Sequence, residues 1–148
     1  MKKKAHESPI NRVNFASDHI VLSGDDEGVV KVWDIRTNEC VFEAHDQSEA
    51  ITQMYFDPVN LQMITSCLDG TLAVYDLKQG NDSSDKLLAR TDSADEELHG
   101  LVMLKDGKYI ACPSTEGSVL VYKRECLETY VDRIKGQAGS VEAIVKIR

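Results

Sequence analysis

Three times in this chain a glycine turn is followed, five residues later, by an aromatic side chain: Gly28 and Trp33, Gly70 and Tyr75, Gly117 and Tyr122. The surrounding phrases repeat one grammar: SGDDEGVVKVWDIR at 23–36, TSCLDGTLAVYDLK at 65–78 and STEGSVLVYKR at 114–124. Glycine gives the turn its backbone freedom, and the β-branched and aromatic run behind it favours an extended strand. Trp33 and Tyr75 are 42 residues apart, Tyr75 and Tyr122 are 47 apart. Those intervals describe a repeat of about 40–45 residues with one lengthened loop. A helical repeat would need continuous apolar stripes at helix period, and none is long enough.

Each unit divides into four short strands. In the first, at about 6–44, they fall at 10–16, 19–23, 29–34 and 40–42. In the second, at about 45–90, they fall at 51–56, 61–66, 71–76 and at Leu87 and Leu88. Asp57 and Pro58 open a turn, because proline restricts its predecessor and cannot continue a central strand. Residues 78–85 are polar and loop out. The third unit, at about 91–135, begins with an acidic stretch at 91–97 expected to be a mobile surface loop. Its strands are placed at 98–104, 109–112, 118–122 and 127–131, and 141–147 reads as the opening strand of a fourth unit. The fold class is therefore all-β: a partial β-propeller of three four-stranded blades and the first strand of another.

Composition narrows the function. The formal net charge is -8 and the acidic residues are scattered, which argues against a broad phosphate-binding face. The basic runs are short, Lys2 to Lys4 and Lys123 with Arg124, and lack stacking aromatics, so they are expected as solvated surface, with a weak RNA-binding surface as the alternative. No apolar run approaches membrane-spanning length, and the basic start lacks the apolar segment of a signal peptide. Cys40, Cys67, Cys112 and Cys126 are isolated, without the close pairing of a zinc site, and are expected to be reduced, buried thiols. His6 and His45 fall in equivalent loops of successive units, which points to a repeated structural role. His99 is expected as a partly exposed residue in a loop or at a strand end. Ser23 and Ser114 have no plausible catalytic His–Asp pairing. The loop 24–28 is acidic and would repel phosphate. No enzyme activity, cofactor or metal is expected.

The repeated phrases resemble WD40 repeats, the building blocks of β-propellers. The resemblance implies a hydrogen-bonded group in each blade: a histidine before the first strand, Ser or Thr in the second, Asp in the turn and Trp in the third. The first unit offers His6, Ser23 and Trp33, with Glu27 in the place of Asp. The second offers His45, Thr65 and Asp69, with Tyr75 for Trp. The third keeps Ser114, Glu116 and Tyr122 but lacks the histidine. A buried polar side chain must be paired, and a closed set of such residues pins the turn to the strand.

Two further implications concern partners. Trp33, Asp34, Ile35 and Arg36 resemble the WDxR box by which some propellers dock on the DDB1 adaptor of cullin-4 ubiquitin ligases, with Arg36 making paired hydrogen bonds. Asp34 belongs to the same box, and Lys78 ends a diluted copy. KKAHESPIN at 3–11, LSGDDEGVVKVWD at 22–34, FDPVNLQMITSCLDGTLAVYD at 56–76 and IACPSTEGSVLVY at 110–122 are similar to a nuclear and nucleolar branch of the family, seven-bladed, associated with ribosomal RNA processing. That similarity implies a non-catalytic protein scaffold contacting pre-ribosomal factors. Three units and a start leave the outer sheet flanks without partners, so a fragment, a truncated product or a self-associating chain is expected, in that order.

Overall fold

The computed structural model describes residues 4–78 and 86–135, and these form three antiparallel four-stranded sheets. The first holds β1 (Ile10–Phe15), β2 (Ile20–Asp25), β3 (Val30–Asp34) and β4 (Glu39–Ala44). The second holds β5 (Ile51–Asp57), β6 (Gln62–Cys67), β7 (Leu72–Asp76) and β8 (Leu87–Arg90). The third holds β9 (Val102–Leu104), β10 (Tyr109–Pro113), β11 (Val119–Lys123) and β12 (Asp132–Ile134). Every strand pairs with its neighbour in sequence, so each sheet is an up-and-down meander, the blade of a partial propeller. The expected opening strand at 141–147 lies outside the described residues.

The middle sheet buries both of its faces. Met63, Cys67, Ala73 and Tyr75 point to one side and join Leu22, Val30 and Val32 of the first sheet. Ile64, Leu72 and Val74 point to the other and join Met103, Ile110, Leu120 and Tyr122 of the third. The alternation along β6 and β7 is the period of two of a pleated strand, with both phases apolar because both flanks are covered. Among the described residues nothing covers the face of the first sheet turned away from the second, and Val13 and Phe15 on it are exposed.

Polar contacts set the stagger of the sheets. Asn14 donates from Nδ2 to Gln53 Oε1 at 2.9 Å and to the Met54 carbonyl at 2.6 Å, fastening β1 to β5. Thr52 donates from Oγ1 to the Leu98 carbonyl at 2.9 Å, fastening the second sheet to the third. Gly28 and Gly70, both at φ +85°, press against the segments that lead into the next sheet. A Cβ at Gly28 would collide with the Gln47 carbonyl, and one at Gly70 with the Glu96 carbonyl and the Ser93 hydroxyl.

The third unit departs most from expectation. Its first strand is only Val102–Leu104, and Leu98 makes a single bridge to Ser114. Its last strand is Asp132–Ile134 and not 127–131, because Leu127 and Tyr130 turn inward onto the second core. The acidic stretch 91–97 is not a loose loop. The Leu72 amide donates to Thr91 Oγ1 at 2.9 Å, the Ala94 amide to the Gly70 carbonyl at 3.0 Å, and the Thr115 amide to the Glu97 carbonyl at 3.2 Å. Of the four free cysteines, Cys67 and Cys112 are buried, whereas Cys40 and Cys126 are exposed. Burial pushes the Cys67 thiol up to about 12.

Candidate protein-interaction surface

The sheets present two ends, one formed by the β2–β3, β6–β7 and β10–β11 turns and the other by the β1–β2, β5–β6 and β9–β10 turns with the residues just beyond β3, β7 and β11. At the first end lies a closed polar network. His6 Nδ1 donates to Asp25 Oδ2 at 2.8 Å, and His6 Nε2 lies 2.6 Å from Ser23 Oγ, which takes the Trp33 indole N–H at 2.8 Å. With Nδ1 donating, the serine proton is free for Nε2, and every member is paired. Asp25 Oδ1 also accepts the Glu27 and Val29 amides at 3.0 and 2.9 Å. The carboxylate in the network is thus that of Asp25. Glu27, the expected one, is exposed at the tip of the turn and contributes only its amide.

The second sheet builds its network around a different residue. His45 is exposed and pairs with Glu43 Oε1 at 2.7 Å. Gln47 fills the interior position: Thr65 Oγ1 donates to its Oε1 at 2.5 Å, and its Nε2 donates to the Thr71 carbonyl and Oγ1, each at 3.1 Å. Thr71 passes the chain on to Asp69 Oδ1 at 2.5 Å. Burial raises the Asp69 carboxyl, but the hydrogen bonds from Thr71 and Ser48 outweigh it and leave it below the usual range. Tyr75, in the place of Trp33, spends its ring on Phe42, edge-on with centroids 5.5 Å apart. Its hydroxyl has no hydrogen-bond partner among the described residues.

In the third sheet the residue in register with Ser23 and Thr65 is Cys112, not Ser114, since the three pair with Lys31, Ala73 and Leu120. Ser114 is buried without a side-chain partner among the described residues, and Glu116 is exposed. Glu96 enters the interior instead and accepts a hydrogen bond from Arg133, whose guanidinium also lies 5.2 Å from the Tyr130 ring. The Tyr122 hydroxyl is likewise unpartnered among the described residues, and burial pushes its pKa up. Counting would have located two of these substitutes. Cys112 stands five residues before its turn glycine, as Ser23 and Thr65 do, and Gln47 stands 18 before Thr65, close to the 17 between His6 and Ser23. No signal in the sequence marks Asp25 over Glu27.

The opposite end carries the candidate partner contacts. Arg36, with a side chain 63% exposed, is clamped to Asp34: Nε donates to Oδ1 at 3.1 Å and an η-nitrogen to Oδ2 at 2.9 Å. Its backbone amide also donates to Oδ1 at 2.9 Å. The side-chain and backbone hydrogen bonds from Arg36 hold the Asp34 carboxyl down at about 2. The guanidinium is thereby presented in one orientation with its outer donors facing solvent. Lys78 stands two residues beyond β7, as Arg36 does beyond β3, is exposed, and donates its amide to Asp76 Oδ1 at 2.9 Å. Arg124, expected as part of a solvated basic run, is instead tied to Asp57 Oδ2 at 2.6 Å and Gln62 Oε1 at 2.8 Å. His99 sits beside Thr115 Oγ1 at 3.1 Å and Glu97 at 3.4 Å. Among the described residues no group of three or more His, Cys, Asp or Glu could hold a metal ion.

Comparison with known proteins agrees with this geometry. The family described as "WD domain, G-beta repeat" matches residues 1–34 and 36–76, just over half the chain. WD repeat-containing protein 55 of Arabidopsis thaliana is 28% identical over 98% of this chain and 40% of its own length. The Mus musculus protein of that name is 31% identical over 97% of this chain and 36% of its own length. The Dictyostelium discoideum homolog is 32% identical over 99% of the chain and 34% of its own length. The chain therefore spans between a third and two fifths of these relatives. A chain in the crystal structure of the mitotic checkpoint complex superposes with a TM-score of 0.79 at 12% identity, covering 97% of this chain and 44% of that one. At that identity the likeness concerns the fold alone.

Proposed function

The chain belongs to the WD40 repeat family, a non-catalytic protein-interaction scaffold by architecture, and from that premise we propose that it serves in ribosome production in the nucleolus. One observation carries this reading. The alignment with WD repeat-containing protein 55 of plant, mouse and slime mould runs through 97–99% of the chain, including the third unit where the repeat pattern is weakest. Such likeness extends beyond what a shared blade pattern requires. The partners on this reading are pre-ribosomal proteins, met through the exposed turns of the sheet ends. The test is affinity purification of the tagged chain from nucleolar extract, followed by gradient sedimentation. Co-migration with pre-ribosomal particles supports the reading, and a chain that stays at the top of the gradient in the extract overturns it.

Arg36 favours a second reading, docking on the DDB1 adaptor of a cullin-4 ligase. Asp34 orients its guanidinium and leaves it largely in solvent, the state an arginine needs to make paired hydrogen bonds with an acceptor on another protein. In a pull-down with the adaptor, Arg36→Ala loses capture while the circular dichroism spectrum is kept. Equal capture by the wild-type chain and the variant removes Arg36 from this role.

A further inference from the structure

Between the first and second sheets, at the end that carries Arg36, lies a groove of about 530 Å³. Ile20, Phe42, Phe56 and Leu77 line its floor, half-buried at the edge of the core that joins the two sheets. Leu61 forms one wall, 42% exposed, and Val59 beside it is 86% exposed. Lys78 and Lys86 stand at the rim, with Lys86 Nζ 5.8 Å from the Phe42 ring, and neither has an ion-pair partner among the described residues. The one carboxylate in the lining, Asp34, is engaged by Arg36. An apolar trough with a cationic edge is thus set into a chain whose net charge is -8.

Leu61 adds an independent observation. It holds φ at +51°, and its carbonyl is fixed by the Leu77 amide at 2.9 Å. A bulky side chain is disfavoured in this left-handed region, where glycine or asparagine sits more easily. In the turn between β3 and β4 the same conformation falls to Asn38, at φ 58°. Keeping an exposed leucine here costs stability and gains nothing in the core, so its side chain is placed for a contact outside the chain. The segment between Lys78 and Lys86, QGNDSSD, contains no apolar side chain that could fill the trough.

We propose that this groove is a docking site for a linear protein segment that presents apolar side chains between acidic residues. The apolar side chains replace water over Phe42, Phe56 and Leu61, and the flanking carboxylates meet Lys78 and Lys86, which sets polarity and register. The proposal rests on the reading of the chain as an interaction scaffold but not on its place in ribosome production or on Arg36.

The test uses the full chain and a fluorescein-labelled peptide with leucine and phenylalanine between pairs of glutamates, followed by anisotropy. The matched probe replaces every glutamate by lysine. The acidic peptide binds, with affinity rising as salt falls, and the lysine peptide binds at least about tenfold more weakly. Lys78→Glu with Lys86→Glu weakens the acidic peptide by about tenfold or more, whereas Lys108→Glu, in the turn between β9 and β10, leaves it unchanged. Leu61→Asn also weakens binding while its melting temperature stays level or rises, which separates lost contact from lost folding. Absence of binding up to millimolar peptide, equal binding of the two peptides, or binding untouched by Leu61→Asn each overturns the proposal. Failure of co-sedimentation with pre-ribosomal particles would leave these binding results standing, so the two readings fail separately.

Discussion

At the scale of single residues, the networks of successive sheets are chemically different solutions to one problem. A buried hydroxyl on the second strand must be paired, and the chain pairs it through His6 in the first sheet and Gln47 in the second. The third sheet removes the hydroxyl altogether and buries the Cys112 thiol in its place. Loss of one member leaves the others buried and unsatisfied, which costs about 1–3 kcal/mol. Asp25→Ala and Gln47→Ala therefore lower unfolding free energy by that amount in urea titrations. Glu27→Ala and His45→Ala, at exposed positions, change it by less than about 0.5 kcal/mol. Equal losses for Asp25→Ala and Glu27→Ala would contradict the assignment. The glycine turns and the aromatics behind them were legible because they are local patterns. The network members were not, because closure depends on which side chain of a turn points inward, and Asp25 and Glu27 are equally acidic and two residues apart.

At the scale of strands and turns, one carboxylate adds a further tie between the second and third sheets. Asp57 accepts from the Val59 and Asn60 amides at 2.9 and 3.2 Å, from Asn60 Nδ2 at 2.8 Å, and from Arg124 at 2.6 Å. Burial pushes this carboxyl up, but the hydrogen bonds from Asn60 and Arg124 outweigh it, and it settles at about 2. Removing one partner of so enclosed a pair costs on the order of 3 kcal/mol, which thermal or chemical unfolding of Asp57→Ala will show. A carboxyl held lower in the folded state than in the unfolded one stabilises the fold at neutral pH. That contribution starts to fall near the ordinary value of 3.8 and is gone below about 2. Unfolding free energy of the wild type should therefore drop across that interval by more than that of Asp57→Asn. The strands themselves were legible from alternation and breakers, with one instructive exception. Residues 127–131 carry the apolar side chains of a strand, yet Leu127 and Tyr130 are drawn into the core, and the pairing passes to Asp132–Ile134. Backbone pairing needs no apolar side chain, so composition pointed to the wrong segment.

At the scale of the whole molecule, stability runs along a row of sheets, each touching only its neighbours. The second sheet is covered on both flanks, so its amides should open only with the largest unfolding events. Hydrogen exchange will show slowest exchange in β6 and β7, faster exchange in β1. Leu22→Ala, in the first core, should cost about 2–5 kcal/mol and speed exchange in the first two sheets more than in β10 and β11. Uniform acceleration throughout would mean that the row behaves as one cooperative block.

The half-buried Trp33 is the chain's one tryptophan, and it sits with Phe15 and Val21 on the face of the first sheet turned away from the second. Its indole is already pinned by Ser23 and lies 5.8 Å from the Lys31 ammonium. Emission from this protein is therefore a built-in gauge of that single surface. Whatever settles there will exclude water from the ring and shift the spectrum to the blue, while a ligand confined to the second or third sheet will leave the colour of the light unchanged.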